Sequence, residues 1–193
     1  MSGFDRRTAI GALFITAALT GCAAQGSEPQ AGAAADSRAT RIAHDLALAD
    51  AAFEAGDRPV LASALLRIDR RSARPLDAAT PDPLARWRAA VPGAAPPLRG
   101  RALGPGYVRG TLAPGAATSM DQLFLSGQAA TIAAQSAPHK QMRLRIYDAG
   151  GALVCERAPA HARDCRFTPL FTQRYRIELS NGGAQARYYL VVD

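Results

Sequence analysis

The feature that most constrains this chain is a change of period. From Met142 onward apolar residues recur at every second position: Met142, Leu144 and Ile146 alternate with Arg143, Arg145 and Tyr147. Tyr175, Ile177 and Leu179 alternate with Arg174, Arg176 and Glu178, and Tyr188, Leu190 and Val192 with Arg187, Tyr189 and Val191. Successive side chains of a strand point to opposite faces, so each run predicts a half-buried strand. Asp148-Ala149-Gly150-Gly151 and Asn181-Gly182-Gly183 supply turns. Residues 107–112, 122–126, 129–136 and 153–157 add further short strands, with Gly127 between the second and third. Many short strands broken by Gly and Asn turns predict an antiparallel sandwich.

Upstream the period is helical. Ile42, Leu46, Ala49 and Phe53 share one face, and Val60, Leu61, Ala64, Leu65 and Ile68 another. Gly56 stands where a helix end favours a left-handed residue. Asp57 is a suitable N-cap, with Pro59 tolerated in the following turn. The expectation is an αα-hairpin with a very tight turn. Residues 51–66 resemble one tetratricopeptide-like helix pair, but no second copy follows at a period of about 34 residues. An isolated pair must therefore pack on something or offer a groove to a partner. Pro75, Pro81, Pro83, Pro92, Pro96 and Pro97 punctuate the next stretch. Thr80-Pro81 is placed to start a short helix through Leu84, Trp87 and Ala90. Trp87, the one tryptophan, is expected to plug the seam between helices and sandwich. The fold class is α+β: a short N-terminal helical hairpin (38–91, with the short helix), a Pro/Gly linker (92–106) and a C-terminal antiparallel jelly-roll-like β-sandwich (107–193).

The first residues have a different character. Arg6 and Arg7 precede an uncharged apolar run from Thr8 to Leu19. That run is too short for a bilayer span, which needs about 20 residues, and fits a secretory leader. Leu19-Thr20-Gly21-Cys22 resembles the bacterial lipobox at all four positions. The resemblance implies removal of residues 1–21, diacylglyceryl transfer to the Cys22 sulfur and N-acylation. Residues 22–37 would then be the lipidated cysteine and a disordered tether. Over residues 23–37 such a tether reaches roughly 20 Å on average. The family's habit of inner-membrane retention by aspartate after the cysteine is not met, since Ala23 stands there. The implied address is therefore the outer membrane, facing periplasm or surface. Asp5-Arg6-Arg7-Thr8 also resembles a twin-arginine signal but departs at Ala9-Ile10, leaving both export routes open.

With Cys22 acylated, Cys155 and Cys165 remain. In an oxidising compartment a pair ten apart across a turn-like loop is expected to form a disulfide. There is neither a C-x-x-C pair nor a partnering His pair, so no metal site is expected. No cofactor is expected either.

The order Gly127-Gln128, then residues 143–154, then 174–183, then 187–192 resembles the bacterial pre-peptidase C-terminal domain. The resemblance runs from about Tyr107 to Asp193. It implies a jelly-roll-like sandwich with an accessory role in binding a substrate or surface. The scarcity of carboxylates departs from calcium-binding relatives.

Charge adds one candidate site. Residues 23–98 hold nine Arg against nine Asp or Glu, whereas residues 99–193 hold eleven Arg plus Lys140 against six acids. Arg143, Arg145, Arg174, Arg176 and Arg187, with Tyr147 and Tyr189, share the outward phase of their strands. If those strands pair, they make one Arg/Tyr-rich face. Guanidinium forks suit phosphate or carboxylate, and rings add stacking. The partner expected is an anionic envelope polymer or protein, not nucleic acid. Enzyme signatures are lacking: no G-x-S-x-G, no H-E-x-x-H and no Gly-rich phosphate loop. His44 beside Asp45 is expected to be a surface helical pair, and His139 and His161 plain loop residues. Asp121, Asp148 and Asp164 fall at turns. The expected role is an envelope-anchored accessory binding protein without catalysis. The alternatives are a structural subunit docking through its helix pair and a hydrolase using sandwich loops.

Overall fold

The computed structural model describes residues 36–76, 82–91, 93, 104–137, 141–157 and 164–193. The leader, Cys22 and the tether up to residue 35 lie outside these residues, as do His139, Lys140, His161 and most of the linker.

Residues 35–193 form one compact unit. Helix α1 (Arg38–Ala55) starts at Ser37, whose side chain accepts from Thr40 N. It ends at Gly56, whose φ of 70° is the left-handed conformation expected there. Asp57 caps α2 (Arg58–Arg70) by accepting from Val60 N. The tight hairpin is thus closed by two adjacent caps. The short helix α3 (Pro83–Ala89) begins after Asp82, which accepts from Leu84 N. Its start is therefore two residues beyond Thr80, because the carboxylate cap sets it.

The strands are β1 (Arg74–Pro75), β2 (Gly106–Leu112), β3 (Ala117–Phe124), β4 (Ala130–Ala137), β5 (Met142–Tyr147), β6 (Leu153–Arg157), β7 (Cys165–Phe167), β8 (Gln173–Asn181) and β9 (Ala186–Val192). They form a five-stranded sheet, β1-β2-β9-β4-β7, and a four-stranded sheet, β3-β8-β5-β6. Every pairing is antiparallel except β1 with β2. The fold is α+β with an antiparallel sandwich. Strand β3 starts five residues before the expected 122. Its Ala117-Thr118-Ser119 start carries too little hydrophobicity to mark a strand, and pairing with β8 supplies the order. Strand β1, a dipeptide ending in Pro75, has no pattern to detect and sits at the sheet edge, where proline is tolerated.

The molecule has two cores. Between the sheets lie Leu112, Ile132, Leu144, Ile146, Ile177, Leu179 and Leu190. On the other side of the five-stranded sheet, α1, α2 and α3 bury Ile42, Leu46, Leu61, Leu65, Ile68 and Trp87 against Tyr107, Ala133, Tyr189 and Val191. Three layers result: helices, five-stranded sheet, four-stranded sheet. Helix α1 is the helix that lies between α2 and the five-stranded sheet. It meets α2 on one side and β4 and β9 on the other. Its buried Ala39, Ala43, Ala47, Ala49 and Ala52 let it lie close to both. Burial on two faces also explains its buried acids. Asp45, expected at a surface beside His44, is 4% exposed. It accepts from Arg67 Nε at 2.7 Å and pairs with Arg71, both on α2. No helix among the described residues is long and apolar enough to cross a membrane.

Cys155 of β6 and Cys165 of β7 are disulfide-bonded, with Cα atoms 5.9 Å apart. Each cysteine sits on the edge strand of a different sheet. The bond therefore joins the two sheets along one side of the sandwich.

Candidate functional site

The seven residues of the expected Arg/Tyr face divide between the sheets. Strand β9 belongs to the five-stranded sheet, where its outward phase meets the helices. Tyr189 is 1% exposed. Arg187 reaches across to α1, with Nη1 2.9 Å from Asp50 Oδ2 and Nη2 2.6 Å from Glu54 Oε2. These two residues hold a helix in place and leave the candidate face. The Arg187 hydrogen bond holds the Glu54 carboxyl below its usual range. The same contact, with Asp50, pushes the Arg187 guanidinium pKa up. Burial, reinforced by Asp50, raises the Tyr189 hydroxyl. Tyr107 rises likewise by burial and by donating its hydroxyl to Asp82 at 2.5 Å.

The other five come together on the outer face of the four-stranded sheet. The β5–β8 register sets Arg143 opposite Ser180, Arg145 opposite Glu178 and Tyr147 opposite Arg176. The β3–β8 register sets Asp121 opposite Arg176 and Leu123 opposite Arg174. Side chains of one phase stand side by side across such a ladder. Glu156 accepts from Arg143 Nη1 at 2.5 Å and from Arg145 Nε at 3.2 Å. Glu178 accepts from Arg145 Nη1 at 3.3 Å. Hydrogen bonds from Arg143 and Arg145 hold the Glu156 carboxyl below its usual range. Arg176 stacks its guanidinium 4.7 Å over the Tyr147 ring. Arg174 is exposed and makes no hydrogen bond or ion pair among the described residues.

This geometry redistributes the chemistry expected of the face. Arg143 and Arg145 are occupied by glutamates that occupy the same phase of their strands. Arg174, and Arg176 through its outer edge, stay available to an anion, beside the exposed Leu123. The missed partners were legible: Glu178 shares the phase of Arg174 and Arg176, and Glu156 follows Cys155 at the matching position of β6.

A second concavity lies between β2 and β3, at the opposite side of the sandwich from the disulfide. It is a cleft of about 120 Å³ lined by Val108, Thr118, Met120, Ile177, Tyr188 and Leu190. Gly110 makes room for the Tyr188 ring; a Cβ there would lie 2.6 Å from the Tyr188 hydroxyl.

Among the described residues, neither the cleft nor the face assembles a nucleophile, base and orienting group. His44 is largely exposed on α1. Asp148 accepts from Ala152 N at 2.8 Å and closes the β5–β6 turn. Burial of Asp164 opposes its charge, but hydrogen bonds from Arg166, Ser37 and Thr40 leave its pKa below the usual value. Among the described residues no group of three His, Cys, Asp or Glu is placed to hold a metal.

No family model matches this sequence, and no curated protein is similar to it. Several solved structures align with just under half of the chain. The pre-peptidase C-terminal domain of a collagenase from Bacillus anthracis aligns with a TM-score of 0.40 and 13% identity, over 45% of this chain and 87% of that one. Aeromonas hydrophila PliG, a periplasmic inhibitor of g-type lysozyme, aligns with a TM-score of 0.38 and 11% identity, over 46% of this chain and 84% of that one. A CBM4 structure aligns at 0.29 and 13%, over 45% and 79%.

Proposed function

We propose that this chain is a lipid-anchored envelope protein whose sandwich is a non-catalytic binding module. The observation that supports it best is an asymmetry of the two sheets. One is covered by the chain's own helices. The other presents Arg174, Arg176, Tyr147 and Leu123 on a face that no helix covers among the described residues. Guanidinium, ring and apolar side chain in a row suit an anionic polymer with apolar sugar faces, or an acidic protein surface. The Leu19-Thr20-Gly21-Cys22 motif supplies the address, with Cys22 as the acylated residue and the outer membrane as destination. The helix pair is a poor docking element in this reading, because its apolar faces are spent on each other, on α3 and on the five-stranded sheet.

Two measurements test the reading. At low salt, Arg174→Ala with Arg176→Ala abolishes retention on an anionic glycan column, whereas Arg143→Ala with Arg145→Ala leaves most of it. Retention unchanged in the first pair removes the face as a binding site. The intact mass of the native protein begins at Cys22 and carries acyl chains; any other start removes the anchor.

A further inference from the structure

One end of the sandwich carries an apolar tip beside the proposed binding face. Seven large apolar side chains are exposed among the described residues: Leu66, Leu123, Leu125, Leu153, Val154, Leu170 and Phe171. All but Leu66 belong to the four-stranded sheet or to the loops at this one end of it. Leu170 and Phe171 are 81% and 71% exposed, at the tip of the loop between β7 and β8. Leu125 follows β3 in the neighbouring loop. The two loops are tied together: Ser126 N donates to Thr172 Oγ1, Ser126 Oγ to Leu170 O and Gly127 N to Pro169 O. Beneath them Phe124, Phe167 and Tyr175 form an edge-packed aromatic cluster. The apolar tip is therefore held out on a braced base.

The chain enters the folded body at this same end. Arg38, the first residue of α1, pairs with Asp193 at 3.6 Å. Asp193 in turn exchanges two backbone hydrogen bonds with Thr131, at the start of β4. Thr40 donates to Asp164, which immediately precedes β7. The starts of β4 and β8 and the ends of β3, β7 and β9 all lie here. Residues 1–35, with the apolar run Thr8–Leu19 and Cys22, thus join the body beside the apolar tip.

We propose that the tip of Leu125, Leu170 and Phe171 inserts into the interfacial layer of a lipid bilayer. The place of chain entry selects this occupant, given the anchored reading above. A tether of roughly 20 Å reach leaves this end nearest the membrane. Apolar side chains that insert in this way sit about 5–10 Å into the boundary between headgroups and acyl chains. Three acidic residues at this end are already engaged, Asp193 with Arg38, Asp164 with Arg166 and Asp148 with its turn, while Asp36 at the chain entry is exposed.

The test uses the full native chain in vesicles of phosphatidylcholine brominated near the headgroup end of its acyl chains. Phe171→Trp adds emission that is blue-shifted and strongly quenched. Leu66→Trp, on exposed α2, adds emission that is neither shifted nor quenched; Trp87 is buried and forms a constant background. Absence of quenching at position 171 overturns the proposal, whether or not the protein floats with the vesicles. Equal quenching at both positions also overturns it. A concentration-dependent dimer abolished by Phe171→Ser reassigns the tip to a second copy. The anchor is read separately by the mass of the N-terminus, so a lipidated protein with an unquenched tip fails only this inference.

Discussion

The two strands β8 and β9 are neighbours in sequence and similar in pattern, yet their outer faces meet opposite fates. In β8, Arg174, Arg176 and Glu178 face solvent while Tyr175, Ile177 and Leu179 face the core between the sheets. In β9, Tyr188, Leu190 and Val192 face that core, and Tyr189 and Val191 face the helices. The difference lies in one phase of the alternation. Apolar residues in both phases mark a strand buried on both faces, whereas an Arg/Glu phase marks one that stays wet. The contrast also fixes the meaning of arginine. On β8 and β5 it is part of an exposed ladder. On β9 it is the counter-ion of two helix carboxylates.

Substitutions at matched positions sharpen this contrast, the most damaging first. Val191→Asp places an unpaired charge in the helix–sheet core and is expected to cost about 4 kcal/mol or more, against under about 1 for Arg176→Ala on the exposed ladder. Urea denaturation of the two variants measures the gap, and equal midpoints would dissolve the comparison. Arg187→Ala strands Asp50, which is 3% exposed, and is expected to cost about 3 kcal/mol. Arg143→Ala removes an exposed pair and is expected to cost under about 1 kcal/mol. The smallest effect is in acid. Glu156 has a lowered folded pKa, so its contribution is full above the unfolded value near 4.5 and fades as pH falls through the folded one. Glu156→Gln therefore flattens the acid limb of the stability curve below about pH 4.5 and leaves neutral pH nearly unchanged.

Much of the fold was legible. Period, turns and caps located both helices of the hairpin and the main strands, because local geometry and local sequence agree there. The disulfide followed from compartment and spacing. What escaped the sequence was long-range. Nothing local says that β9 joins β2 and β4 rather than β5 and β8, and the seven-residue face was drawn as one for that reason. The clue was Val191, an apolar residue in the supposedly wet phase. Helix α1 was read as having one apolar face; its alanines, weak markers of burial, concealed the second. The tip of Leu170 and Phe171 was unreadable, because an exposed apolar loop has no periodicity to announce it.

The placement of the disulfide has a mechanical corollary. It ties edge strands β6 and β7, while the cleft at Tyr188 lies between β2 and the edge strand β3 on the far side. The two sheets are thus bound like the boards of a book, with a disulfide spine along one margin and, along the other, a fore-edge closed by side-chain contact beyond the 113–116 turn that carries β2 into β3. Any parting of the boards widens the fore-edge first, so amides of β3 exchange before those beside the spine, and the cleft is the part of the interior that water visits earliest.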